Sequence, residues 1–389
     1  MWIPVVESHR LRASALAAHY WGTPIVLFRT ETGRIAALED ACGHRGVPLS
    51  KGRVTGECIR CPYHHFAFDA RGACTSIPDV FAVGERERRD CRVRSFHVRE
   101  RLGLIWVSIE PEASAPFPIA DDVAPPPGTE CSTGLFELSG DLRVWMEHYL
   151  DYGHAIFAHA GSLYGGGDAS GYASTESIHF GIGPESRCPV RSAATIELRT
   201  PRTSPARAVI QSGGLLGYLK GAFTGAAGKP SFIRADAHLL TPLTQMVDLE
   251  LASGYGTYKY MNLASLVPVS RERTLFIYSA FIRRGDGRSF GPLLRRFADA
   301  YLRHTIEVAH IKGEDEVLLA GTPYRDDFFA TSWDAAVVGI RALTARYVRE
   351  RGHLYPEGSL LHTVAPAEGP RPANARTRPR PARSSPPPA

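Results

Sequence analysis

Cys42-Gly43-His44-Arg45-Gly46-Val47-Pro48-Leu49-Ser50-Lys51-Gly52, followed by Cys61-Pro62-Tyr63-His64-His65-Phe66-Ala67-Phe68-Asp69, is the stretch on which the reading of this chain turns. Each arm offers one thiolate and one imidazole. Together Cys42, His44, Cys61 and His64 make the ligand set of a [2Fe–2S] cluster with sulfur on one iron and histidine on the other. Imidazole is neutral where thiolate is anionic, so such a cluster carries less negative charge and is reduced at roughly −150 to +300 mV. A chain with these two arms is expected to carry electrons.

The two segments resemble the cluster-binding loops of Rieske proteins. A structural zinc site is the alternative, since Cys58 and Cys61 form a Cys-x-x-Cys that could join Cys42 and His44. That reading leaves His64 idle and does not use the Gly and Pro positions. His65 departs from the Rieske pattern, in which a Gly usually follows the second ligand histidine, and reads as a loop side chain.

A second pattern begins at Trp145-Met146-Glu147-His148-Tyr149-Leu150-Asp151-Tyr152-Gly153-His154 and ends at His159. Two imidazoles and a nearby carboxylate are parts of the 2-His-1-carboxylate triad that binds non-haem Fe(II) and leaves positions open. Residues five apart differ by about 140° around an ideal helix, so His154 and His159 can face one metal only if the helix is distorted or ends between them. Gly153 permits that distortion.

With both motifs in this order, the chain resembles the terminal oxygenase components of the Rieske non-haem iron oxygenases from Trp2 to about Arg349, the shorter members such as vanillate demethylase and dicamba monooxygenase in particular. The resemblance implies a helix-grip catalytic domain and an iron held by His154, His159 and one later carboxylate. Asp315 is the expected carboxylate, with Glu314, Asp326 and Asp327 as alternatives. It also implies that Asp151 links His64 to His154, in most members across a subunit boundary. The family favours Asn three residues before this Asp. Here that position is His148, which leaves open an extra proton donor near the iron.

The expected fold class is α+β. Short β runs at Pro24 to Arg29, Ile35 to Leu38, Arg92 to Val98 and Leu102 to Ile109 make residues 1–112 a small β domain carrying the cluster loops. A Pro-rich linker covers 113–130. The catalytic domain, 131–362, combines strands at Ala194 to Arg199, Ala208 to Gln211, Met246 to Leu251 and Thr274 to Ile282 with helices over Gly291 to Leu319 and Trp333 to Arg349. Residues 363–389 read as a disordered Pro/Arg-rich tail.

The formal charge of +5 is largely this tail: from Pro366 onward five Arg face one Glu, a contribution of +4. Nucleic acid is therefore not an expected partner. The sequence has no long apolar run for a membrane span. Seven cysteines, two of them in the cluster, leave Cys58, Cys74, Cys91, Cys131 and Cys188 as reduced thiols, in keeping with a cytoplasmic enzyme.

No Gly-rich nucleotide fingerprint follows a strand. The chain is thus expected to draw electrons from a separate ferredoxin or NAD(P)H-dependent reductase. Phe180, Tyr218, Phe223, Tyr255, Tyr258 and Tyr260 suggest an apolar cavity for a hydrophobic or aromatic substrate, oxidised with O2 by hydroxylation or oxidative demethylation. Arylamine N-oxidation and oxidative ring closure in secondary metabolism are the alternative outcomes. An electron carrier without oxygenase activity is the alternative of another class. Its respiratory form would carry extra loop cysteines, where this chain has Val47 and Tyr63. A homotrimer is what the family resemblance favours.

Overall fold

The computed structural model describes residues 1–111, 115–119, 130–148, 150–151, 154, 158–159, 172–173, 190–198, 205–226, 231–284, 291–328 and 334–364. The middle of the expected linker, Phe180, Cys188 and the tail beyond Val364 lie outside these residues.

The chain begins with strands β1 (Ile3–Glu7), β2 (Leu16–Tyr20), β3 (Thr23–Arg29) and β4 (Ile35–Glu39). Four short strands follow: β5 (Arg53–Thr55), β6 (Cys58–Arg60), β7 (Ala67–Asp69) and β8 (Cys74–Ser76). Then come helix α1 (Glu85–Asp90) and strands β9 (Ser95–Arg101) and β10 (Leu104–Ser108). Six of the strands pair in the order β1-β10-β9-β4-β3-β2, and β5 to β8 form a separate four-stranded sheet. Buried Val26, Phe28, Leu38, Leu49, Ile59, Phe66 and Phe68 fill the space around the two cluster loops.

The second half is one seven-stranded antiparallel sheet. Its strands are β11 (Glu130–Ser139), β12 (Tyr172–Ala173), β13 (Val190–Leu198), β14 (Ser231–Thr241), β15 (Thr244–Ser253), β16 (Gly256–Pro268) and β17 (Arg273–Arg284), ordered β11-β17-β16-β15-β14-β13-β12. The helices are α2 (Leu142–His148), α3 (Pro205–Ser212), α4 (Leu215–Phe223), α5 (Pro292–Arg303), α6 (Glu316–Leu319) and α7 (Ala335–Arg351). The architecture is α+β: a β domain, then an antiparallel sheet with helices packed on it.

The two halves share a core. Trp2, Ile3, Trp21 and Trp106 from the first pack in one buried cluster with Leu263, Leu266, Phe276 and Tyr278 from the second. Hydrogen bonds stitch the joint: the Gly22 amide donates to the Pro268 carbonyl at 2.9 Å, and the Ser279 hydroxyl to the Leu102 carbonyl at 2.7 Å. Glu110, 2% exposed, accepts from the Arg351 guanidinium at 3.2 Å and from the Tyr347 hydroxyl.

Two local expectations give way. Ala208 to Gln211 is not a strand but lies inside α3, where Pro205 at the helix start presets the first turn. Its short apolar run fits a buried helix face as well as a strand, and Ala208 and Ile210 are indeed fully buried. The single helix expected over Gly291 to Leu319 is interrupted: between α5 and α6, His304–Asp315 winds as a π-helix. π-turns are rare and occur frequently at functional sites.

Strand β17 seats this π-helix, because the Tyr278 hydroxyl donates to Glu307 Oε1 at 2.6 Å. Gly134 on β11 pairs directly with Tyr278. Any Cβ at that position would collide with the Tyr278 ring and the Glu307 carboxylate, so the close approach requires glycine.

Candidate metal centres

The first centre is built by two matched turns. In one, the Cys42 amide donates to the Val47 carbonyl and the Gly46 amide to the Cys42 carbonyl. In the other, Cys61 donates to Phe66 and His65 to Cys61. Asp40 clamps the end of the first loop by accepting from both the amide and the hydroxyl of Ser50, at 2.7 and 2.6 Å.

These turns bring the four expected ligands together. Cys42 and Cys61 are 4% and 2% exposed, with their thiols in hydrogen-bond contact. Burial, followed by the neighbouring Cys61 thiol, pushes the Cys42 thiol up to about 11. The His44 and His64 rings lie 4.8 Å apart, with Phe66 stacked on His44 at 4.6 Å and Phe81 edge-on to both. His44 Nδ1 is buried without a hydrogen-bond partner. A buried ring nitrogen without a partner, on loops that also bury two thiols, fits a soft metal cluster. Cys58, the fourth ligand of the zinc alternative, instead places its thiol 3.4 Å from the Thr75 hydroxyl. Among the described residues, Cys42, Cys58, Cys61, Cys74, Cys91 and Cys131 form no disulfide.

The second centre joins α2, the residues that follow it and the π-helix. Asp141 starts α2 by accepting from the Arg143 amide at 2.9 Å, and Trp145, 1% exposed, anchors it by donating to the Ser139 carbonyl. His154 and His159 converge. Their Nε2 atoms stand 3.3 Å apart, at 3.8 and 3.4 Å from Asp315 Oδ1. That triangle matches the donor-to-donor spacing around one ion with bonds of about 2.1 Å. Asp315 is 1% exposed, yet neither of its oxygens meets a donor in hydrogen-bond geometry. A buried carboxylate ringed by imidazole nitrogens and lacking aligned donors fits a bound cation.

The far sides of both rings are engaged. His159 Nδ1 lies 2.6 Å from Glu314 Oε2, and His154 Nδ1 contacts the Asp151 carbonyl. Such partners fix ring orientation in metal-binding histidines. Glu314, a candidate ligand by sequence, thus sits behind His159 rather than beside Asp315. Asp326 and Asp327, two further candidates by sequence, are exposed.

Burial, then the charge of His148, pushes His154 down to about 3. His310, whose ring is 4.8 Å from His159, is likewise pushed to about 3 by burial and the charge of His159. Both are neutral near pH 7. Burial works to raise Asp315, but the close approach and charge of His148, ahead of the smaller pull of His159, hold it below the usual carboxylate range.

Sequence reasoning did not include His310. Its signal is the five-residue step from His310 to Asp315, which are about 140° apart on an ordinary helix but come to one face when the backbone bonds i to i+5. Asp151 Oδ1 accepts from the His154 amide at 3.2 Å. The rings around His64 are His44, Tyr63 and Phe81, all from the N-terminal half. Of the aromatics expected to line a cavity, Tyr258 and Tyr260 are core residues, and Phe223 is 90% exposed on α4.

Comparison with known proteins bears on both centres. Residues 1–92 match the Rieske [2Fe-2S] domain. A putative toluene-4-sulfonate monooxygenase system iron-sulfur subunit of Comamonas testosteroni is 35% identical over 150 residues, 38% of this chain and 42% of that protein. The dicamba O-demethylase oxygenase component of Stenotrophomonas maltophilia is 32% identical over 41% of this chain and 46% of its own length. The vanillate O-demethylase oxygenase subunit of Pseudomonas sp. strain HR199 is 33% identical over 42% and 45%. The chain therefore matches less than half the length of these curated relatives. The fold extends further: dicamba monooxygenase bound to 3,6-dichlorosalicylic acid superposes with a TM-score of 0.61 at 20% identity, covering 91% of this chain and 96% of that one. NdmA of Pseudomonas putida CBB5 with caffeine gives 0.62 at 17% identity, covering 94% of each. Among the described residues, no helix is long and apolar enough to cross a membrane.

Proposed function

We propose that this chain, whose residues 1–92 are a Rieske [2Fe-2S] domain, is the terminal oxygenase component of a Rieske non-haem iron oxygenase, oxidising a small hydrophobic or aromatic molecule with O2. The observation that carries the reading is the buried triangle of His154, His159 and Asp315 in the same chain as the cluster loops. Bound Fe(II) would supply one-electron chemistry toward O2, a triplet molecule slow to react with closed-shell substrates. His154 and His159 would hold that iron through Nε2 and Asp315 through Oδ1, with Glu314 fixing the His159 ring.

Cys42, His44, Cys61 and His64 would hold the cluster, and Asp151 would link the two centres, from His64 of one subunit to His154 of the next in a homotrimer. Electrons would come from a ferredoxin or an NAD(P)H-dependent reductase. The domain division 1–112, 113–130, 131–362 and 363–389 is part of the same reading. Hydroxylation or oxidative demethylation is the favoured outcome, as the names of the dicamba and vanillate demethylases suggest. The seven cysteines, five of them outside the proposed cluster site, favour a reducing compartment such as the cytoplasm.

The test is metal analysis followed by turnover with a generic reductase, candidate aromatic substrates and isotopically labelled O2. About three irons per chain and one labelled atom in the hydroxylated product, or in the aldehyde released on demethylation, are expected. Two irons per chain with no labelled product would leave an electron carrier and overturn the reading.

A further inference from the structure

We infer that His148 is a third imidazole ligand of the mononuclear centre, making it a three-histidine, one-carboxylate site rather than a two-histidine one. This rests on the metal-site reading above and goes beyond it. His148 ends α2 and turns Nε2 to 3.1 Å from Asp315 Oδ2, the partner of the Oδ1 that His154 and His159 approach. The two atoms pair at that distance, with the ring turned so that Oδ2 meets no aligned donor. An imidazole nitrogen and a carboxylate oxygen placed this way can occupy neighbouring positions around one cation.

The wider geometry agrees. One ligand atom each from His148, His154 and Asp315 lie within 4.8 Å of one another. Opposite corners of a six-coordinate site with bonds of about 2.1 Å are about 4.2 Å apart, so small side-chain rotations bring all three onto one ion. The His148 ring is 4.1 Å from that of His154, and its other flank is braced edge-on by buried Trp145 at 5.7 Å. His148 is 11% exposed at its side chain, so its ring does not need water to satisfy it if it ligates. Three imidazoles and one carboxylate oxygen would leave two of six positions open, enough for O2 chemistry but fewer than a triad leaves.

The test uses the full chain with its Rieske cluster intact and Co(II) loaded into the second site, so that the probe is distinct from cluster iron. X-ray absorption at the cobalt edge counts coordinated imidazoles. Wild type is expected to show three and H148N two, with Co(II) affinity in H148N lower by about tenfold or more. H148A with added imidazole is expected to recover the third ring. The reduced-cluster EPR signal serves as the folding control in each variant. Two imidazoles in wild type, or a count unchanged in H148N, would overturn the inference. Cobalt uptake that survives H154A and H159A would instead overturn the metal-site reading on which it rests.

Discussion

Gly46 and His65 occupy the same position in the two cluster turns. Each donates its amide to the carbonyl of the cysteine four residues earlier, and each has a left-handed backbone, with φ of 70° and 59°. Glycine takes that conformation without cost, whereas a side chain crowds its own carbonyl by roughly 1 kcal/mol. The histidine at position 65 is therefore a point of backbone strain beside His64, a proposed cluster ligand. His65→Gly is expected to stabilise the folded protein by about 0.5–1 kcal/mol, after part of the relief is offset by the freer unfolded chain. Urea unfolding followed by the cluster's visible absorption would measure it. A loss of stability would show that the His65 side chain contributes more than its backbone costs.

Glu314 makes a second prediction. Its carboxylate holds His159 Nδ1 at 2.6 Å, which leaves Nε2 facing Asp315. Partners of this kind typically govern metal affinity by 10–100-fold. Glu314→Ala should therefore weaken Fe(II) binding by about that factor while the cluster's EPR signal is unchanged. Equal affinity by iron titration would show that the His159 ring is held by its packing alone.

Much of the proposed cluster site was legible because Cys42, His44, Cys61 and His64 sit in two short loops, where spacing along the chain is nearly spacing in the fold. The second centre was less so. His154 and His159 could be read from one segment, but Asp315 comes from a helix more than 150 residues later, and only the family resemblance pointed to it. His310 was hidden because the backbone between His304 and Asp315 winds as a π-helix, which regular helical periodicity does not anticipate. The strand expected at Ala208 to Gln211 failed for a related reason: four apolar or amphipathic residues fit either element until tertiary packing decides.

Asp151 follows His148 within one turn and takes the His154 amide on Oδ1. Asp151→Asn keeps an acceptor oxygen there but removes the negative charge. Both metal centres are therefore expected to load normally, while electron transfer from cluster to mononuclear iron slows. Single-turnover absorbance, following cluster reoxidation with substrate and O2, reads that step directly. Wild-type rates in the variant would remove Asp151 from the electron path.

Arg341 locks the far side of α2. Its guanidinium grips Glu147 at 2.6 and 2.9 Å, donates to the carbonyls of Arg325 and Asp326 at 2.7 Å, and packs on the rings of Tyr324 and Phe328. Glu147 is one-fifth exposed at its side chain, and burial, which outweighs the pull of Arg341, raises its pKa. Removing the guanidinium would leave that carboxylate partly buried without its partner and free two backbone carbonyls. Breaking a buried pair typically costs 3–5 kcal/mol, and the partial exposure of Glu147 places Arg341→Leu near about 3 kcal/mol. The double variant Arg341→Leu with Glu147→Leu should recover a large part of that loss, because no uncompensated charge remains. Denaturant midpoints of the two variants distinguish an ion pair that is costly to break from one that simply stabilises: equal losses in both would show that the cost lies in the carbonyl and ring contacts rather than in the stranded carboxylate.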